Sequence, residues 1–269
     1  MKSGRKLGKN ILTALFACAL LVTAGTGFAQ DHATELAKKL QNPVSDLISV
    51  PFQNNFNFGV GPEDNIQYVL NIQPVVPQHL SEQWNWIHRP IFPVINQPAP
   101  VDAFGLGDIQ YQGFLSPAQP GKWIWGVGPV LQVPSATNEQ LGTGKWSAGA
   151  GAVVLAMDGP WVYGALANNI WSFAGAQSRP YVNQMLTQPF VIYNLGRGLA
   201  IGSAPIITAN WAAPSNQQWT VPLGAQISQI IPIGKLPVNF LLGGYYNIVK
   251  PDNGPDWSLR FQIALMFPN

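Results

Sequence analysis

From Trp257 to Phe267 every second residue is large and apolar: Trp257, Leu259, Phe261, Ile263, Leu265 and Phe267 alternate with Ser258, Arg260, Gln262, Ala264 and Met266. A period of two places the two sets on opposite faces of one strand. One face is apolar along its whole length; the other is polar for three positions and then small or soft. That division suits a wall with hydrocarbon on one side and enclosed water on the other.

The start of the chain sets its destination. Lys2, Arg5, Lys6 and Lys9 precede an apolar run over residues 11–22 and a small-residue stretch ending Gly27-Phe28-Ala29, the pattern of a secretory signal peptide over residues 1–29. Of 14 Lys and Arg against 12 Asp and Glu, those four leave with the leader, so the exported product is slightly acidic. It has no basic tract, which excludes nucleic acid as a partner. The one cysteine, Cys18, lies in the leader's apolar core, so the exported chain is expected to have no disulfide.

Beyond residue 29 no run approaches the roughly 18 apolar residues of a membrane-spanning helix. Two classes of exported protein remain, a soluble β-rich binding protein such as a sandwich and a closed transmembrane barrel, the other arrangement that satisfies its backbone within lipid. At 10% charged residues the chain lies far below the roughly 25% of ordinary soluble domains, and its alternating, aromatic-ended last segment, 257–267, favours the barrel. Alternation between clusters of Gly, Pro, Asn and Asp predicts an all-β, antiparallel transmembrane β-barrel of about twelve strands. The segments are 52–61, 65–76, 86–95, 104–115, 122–133, 145–157, 160–173, 184–195, 199–211, 217–229, 238–247 and 257–267. Most are close to the 9 to 11 residues that cross an apolar layer when tilted.

Connections after even-numbered segments are mostly tight and those after odd ones mostly longer and more polar, as for short periplasmic turns and longer outer loops. The stretch 77–85 and the short link 62–64 break the rule. Trp211, Trp219 and Trp257 fall at loop ends, Trp123 and Trp161 at turn ends, where amphipathic rings mark the interfaces. Pro74, Pro129, Pro189, Pro205 and Pro222 fall inside segments, where a closed sheet needs the missing N–H, so bulges must absorb them.

Residues 30–50 form an N-terminal periplasmic segment, with a short helix over 33–41 ended by Asn42-Pro43; it either plugs the lumen or packs on the barrel's periplasmic edge, the second being the default. The barrel proper runs over 51–269. Its lumen is expected to be amide-rich: Asn55, Asn57, Asn71, Gln73, Gln110, Gln112, Gln188, Asn194, Asn210, Gln226, Tyr245, Asn247 and Gln262 take the inward phase, with Asp108 and Arg260 as a charged lumen pair. Amides offer donors and acceptors without a net field, which suits a neutral or weakly polar solute. Phe190, Tyr245 and Tyr246 add an aromatic element.

Catalysis and metal binding find little support. His32, His79 and His88 are scattered, no Gly-x-Ser-x-Gly element is present, and no His and carboxylate cluster has ligand spacing. Neither cofactor, metal nor catalytic residue is expected. An outer-membrane enzyme acting on lipid or peptide is the alternative; it requires His88 or Asp108 beside a serine or a second carboxylate at the lipid boundary.

The stretches Leu47-Ile48-Ser49-Val50-Pro51-Phe52-Gln53-Asn54-Asn55-Phe56, Leu141-Gly142-Thr143-Gly144-Lys145-Trp146, Asn168-Asn169-Ile170-Trp171-Ser172-Phe173-Ala174-Gly175 and Gly254-Pro255-Asp256-Trp257 carry a resemblance. The chain resembles, from about Leu36 to Phe267, the bacterial outer-membrane family named for the MetA pathway of phenol degradation, whose transporter-like members often bear the misapplied label neuromedin U. The resemblance implies an outer-membrane barrel passing small, aromatic or hydrophobic compounds. Its expected partners are a small-molecule solute, outer-membrane lipids and the barrel assembly machinery, and it supplies no catalytic residues.

Overall fold

Wherever the period-two pattern runs, the chain is extended. The computed structural model describes residues 30–268; the leader expected over 1–29 lies outside the described residues. A helix, α1 (Gln30–Gln41), precedes fifteen strand segments. These are β1 (Ile48–Val60), β2 (Asn65–Ile72), β3 (Val76–His79), β4 (Trp84–Gln97), β5 (Ala103–Leu106), β6 (Ile109–Pro117), β7 (Trp123–Val133) and β8 (Lys145–Asp158). They continue with β9 (Trp161–Gly175), β10 (Asn183–Gly196), β11 (Leu199–Ser203), β12 (Ile207–Asn210), β13 (Trp219–Ile233), β14 (Leu236–Val249) and β15 (Trp257–Phe267).

Three wall strands are each split in two. Segments β2 and β3 share one edge of β4, β5 and β6 share its other edge, and β11 and β12 both lie between β10 and β13. The wall therefore has twelve antiparallel strands, in the order expected. Pairing of β1 with β15, from Ile48↔Phe267 to Phe58↔Trp257, closes it. The alternative of a sandwich is thereby overturned, because a sandwich leaves edges and this sheet has none.

Both described chain ends lie at one end of the barrel, with the links 80–83, 118–122, 159–160, 197–198 and 234–235; this is the turn end. The loop end carries the generally longer connections, the longest being 134–144. The stretch 77–85, read as a long turn, is mostly strand: β3 runs to His79 on β4, leaving a tight link. The wall also begins a few residues earlier than expected, at Ile48.

Register fixes the faces. Arg260 stands opposite Gly243 on β14 and Asn55 on β1, so these three point the same way, into the barrel. The outside inverts the rule for soluble proteins: Leu223 is 57% exposed and Val191 51%, whereas Gln112 inside is 2% exposed and Asn239 3%. Apolar atoms on that scale face hydrocarbon. Trp84, Trp123, Trp125 and Trp161 ring the turn end, and Trp146, Trp171, Trp211 and Trp257 the loop end.

The prolines, the sequence feature most opposed to a barrel, sit where the ladder is already open. Between the pairs Ile72↔Phe92 and Val76↔His88, Pro74 stands opposite Pro90. Between Thr187↔Ile207 and Val191↔Ser203, Pro189 stands opposite Pro205. Pro222 borders the same opening from β13, where the pairing with β14 also shifts register. Pro129 lies opposite Gly113, where the β6–β7 ladder skips from Gln112↔Val130 to Leu115↔Val127. There the strands approach so closely that a Cβ on Gly128 would lie 2.0 Å from the Gly113 carbonyl oxygen.

If the outer face meets lipid, Phe261→Arg at mid-strand destabilises the folded barrel in bilayers by about 2–4 kcal/mol. Thr208→Arg, on the inner face near the loop end, leaves stability unchanged within about 1 kcal/mol. Denaturant titration of the two variants in lipid vesicles checks the difference.

Candidate functional site in the barrel lumen

The N-terminal segment forms the lumen's floor. Helix α1 presents Leu36, Ala37 and Leu40 to Leu47 and to the inward residues Ile230 and Met266. Its basic Lys38 and Lys39 fall in the last turn, favourable for the helix dipole. After the Asn42-Pro43 stop, two local side-chain bonds turn the chain inward: Asn42 Oδ1 accepts from Val44 N at 3.0 Å and Ser45 Oγ from Leu47 N at 3.2 Å. Val44 is thereby buried among Ile87, Phe114, Leu155 and Phe190. Gln41 and Asn194 exchange two amide hydrogen bonds, at 2.9 and 3.1 Å. The segment is thus a plug, not an addition to the edge, and Asn194 is one of its anchors instead of a free lumen amide.

Above the floor three cavities follow one another, each sharing lining residues with the next. The lowest, about 160 Å3, lies between the plug and Gln53, Gln73, Arg89, Gln226, Arg260 and Gln262. The middle one, about 220 Å3, shares Gln53, Gln73, Arg89 and Gln188 and adds Asn71, Gln110 and Gln112. The third, about 420 Å3 at the loop end, shares Gln110 and adds Gln184, Thr208 and Asn210. Asn55, Asn57 and Asn247 also take the inward phase. Part of this polar inventory is spent on itself: Asn57 donates to Gln67 at 2.8 Å, Gln112 to Gln110 at 2.8 Å and the Tyr245 hydroxyl to Gln226 at 2.8 Å. Asn247 donates to the Pro255 carbonyl at 2.7 Å.

The expected lumen pair does not form. Asp108 sits between β5 and β6 and accepts from Thr143 N and Oγ1, both at 2.7 Å, and from Ala136 N at 3.3 Å. It anchors the long connection 134–144. Arg179 holds the same connection from the next loop, donating to the carbonyls of Glu139, Gly142 and Thr143. Arg260 instead donates to the Ala204 carbonyl at 3.0 Å and lies 4.8 Å from the Tyr245 ring centroid. Tyr246 points outward and is 61% exposed, so only Phe190 and Tyr245 of the aromatic set face in.

Arg89, which alternation alone did not single out, lines both lower cavities and donates to Gln112 at 3.3 Å. Its only sequence signal is the odd phase of β4 shared with Asn85 and Ile87. His88, one residue earlier, faces outward; its Nδ1 is 2.8 Å from the Tyr111 hydroxyl and its Nε2 2.9 Å from Gln78 Oε1. Neither it nor Asp108 is hydrogen-bonded to a serine or a carboxylate among the described residues.

No family model matches the chain and no curated protein matches it. In structure it is similar to a COG4313 outer membrane channel from Pseudomonas putida F1, at 14% identity over 82% of this chain and 94% of that one, with a TM-score of 0.58. Fainter likenesses are to outer membrane phospholipase A from Escherichia coli (12% identity, 88% and 98% covered, TM-score 0.43) and a bacterial polysaccharide outer membrane secretin (10%, 83% and 99%, 0.34). The fold is that of outer-membrane barrels.

Because the plug occupies the turn end, if the lumen conducts ions, replacing residues 30–46 with a short Gly/Ser linker raises the conductance measured in planar bilayers several-fold. Conductance equal to that of the full chain would show that the floor is not the constriction.

Proposed function

We propose that the chain is a passive outer-membrane channel for uptake of small neutral or aromatic and hydrophobic solutes. The observation that carries this reading is the column of amide-lined cavities inside a closed wall, running from the loop end to a floor made by a separate segment of chain. Asn and Gln side chains replace part of a solute's hydration in either hydrogen-bonding sense. The likeness in fold to a COG4313 channel and the resemblance to the phenol-degradation family support the same reading. Twelve strands enclose less than the open aqueous channel of a porin of 16 to 18 strands, in keeping with small solutes.

In this reading the leader over residues 1–29 exports the chain, the assembly machinery receives the aromatic-ended β15, and lipids of the outer membrane cover the wall. The helix and the segment to Leu47 act as the gate, because a solute reaching the periplasm must pass α1. Transport is favoured over catalysis because the outward His88 is engaged by Tyr111 and Gln78 and not by a serine or a carboxylate.

Proteoliposome swelling in small neutral solutes, with planar-bilayer conductance alongside, tests the proposal. Permeation above that of empty liposomes, falling steeply with solute size, is expected. No permeation of any small solute would overturn it.

A further inference from the structure

The lumen's charge is unbalanced at one level. Arg89 on β4 and Arg260 on β15, separated around the wall by β1 and β2, line the same cavity of about 160 Å3. No carboxylate lines it or the cavity above among the described residues. Lys39 at its rim is already matched by Asp46 at 3.1 Å. Each arginine makes a single hydrogen bond, to Gln112 or to the Ala204 carbonyl, and each Nε is buried without a partner. A guanidinium withdrawn from water and left with idle donors is costly, and an anion in its plane relieves that cost. The fork of an arginine matches a carboxylate in two parallel hydrogen bonds.

The rest of the cavity is not built for a small hydrated ion. Phe190, Ile192, Leu241, Val75 and Leu40 form an apolar side. A cavity of about 150 Å3 holds a benzene ring, so the space suits one ring or a short alkyl chain beside the charged group. We propose that the lower lumen cavity binds an organic monocarboxylate with an apolar body, its carboxylate held by Arg89 and Arg260 and its body laid against Phe190, Ile192 and Leu241. The inference rests on the lumen being the solute path and adds apolar carboxylates to the aromatic and hydrophobic solutes that path takes. It also corrects the expectation of a lumen without a net field, which followed from counting amides and pairing Arg260 with Asp108.

Calorimetric titration of the full chain in detergent, with benzoate, the neutral isostere benzamide and inorganic phosphate as probes, tests it. Benzoate is expected to bind about ten-fold or more tighter than benzamide, the increment of one charge-assisted hydrogen bond, and phosphate to compete poorly. Arg89→Gln and Arg260→Gln each remove that preference, whereas Arg179→Gln at the loop end leaves it intact; heat-modifiable gel mobility confirms that the variants are folded. Equal binding of benzoate and benzamide by the unaltered chain overturns the proposal whether or not the variants fold. Phosphate binding as tightly as benzoate overturns the apolar-body part. Swelling in neutral solutes without benzoate binding sinks this site and leaves the channel; benzoate binding without swelling supports the site and sinks the channel.

Discussion

Within hydrocarbon a peptide group has no water to turn to, and each unpaired N–H or C=O costs several kcal/mol. A sheet survives there only if its last strand finds its first. The β1–β15 ladder does this over the full length of β15, and the other features depend on it. Closure makes one set of side chains face lipid and the other a common interior. It also brings the chain's N-terminal segment to the mouth of that interior, since β1 starts at the turn end and the residues before it have the lumen directly beside them.

The openings in the wall follow the same constraint. Where the proline-lined gap opens at residues 204–206, the freed backbone is taken up by side chains: Ala204 N donates to the Tyr245 hydroxyl, and its carbonyl accepts from Arg260 at 3.0 Å and Gln188 at 3.4 Å. Ser203 Oγ donates to the Gly224 carbonyl at 2.7 Å. The polar lumen therefore serves the wall as well as any solute. Arg260 belongs to this scheme, with its guanidinium over the Tyr245 ring and its Nε buried without a partner.

The wall was legible because its signal is local: alternation in β15, β14 and β10 needs no knowledge of partners. The interior was less so. Strands β7 to β9 face the lumen with Val130, Val153, Leu155, Val162 and Leu166, and their outer faces are apolar too, so Val153-Val154-Leu155 shows no alternation to read. Alternation therefore gives no sign of the apolar cluster that Val153, Leu155, Val162 and Leu166 form with Val44 inside the barrel. Phase alone puts Asp108 in the lumen, but the register shifts between the β5 and β6 pairings with β4, and that break delivers its carboxylate to the loop 134–144. Around Arg89 the prolines and aliphatic residues of β4 hide the alternation. The plug was ambiguous because a helix with two leucines one turn apart needs an apolar surface but does not say which; the surface is supplied by Ile230 and Met266, far away in sequence.

The most direct test is depth-resolved quenching along β15. Single cysteines at positions 258, 259, 261, 262, 263 and 264, in a chain freed of Cys18, carry a fluorophore in vesicles containing brominated lipids. Strong quenching at 259, 261 and 263 and weak quenching at 258, 262 and 264 is the result expected of a wall between lipid and lumen. Uniform quenching, or none at any position, would contradict it.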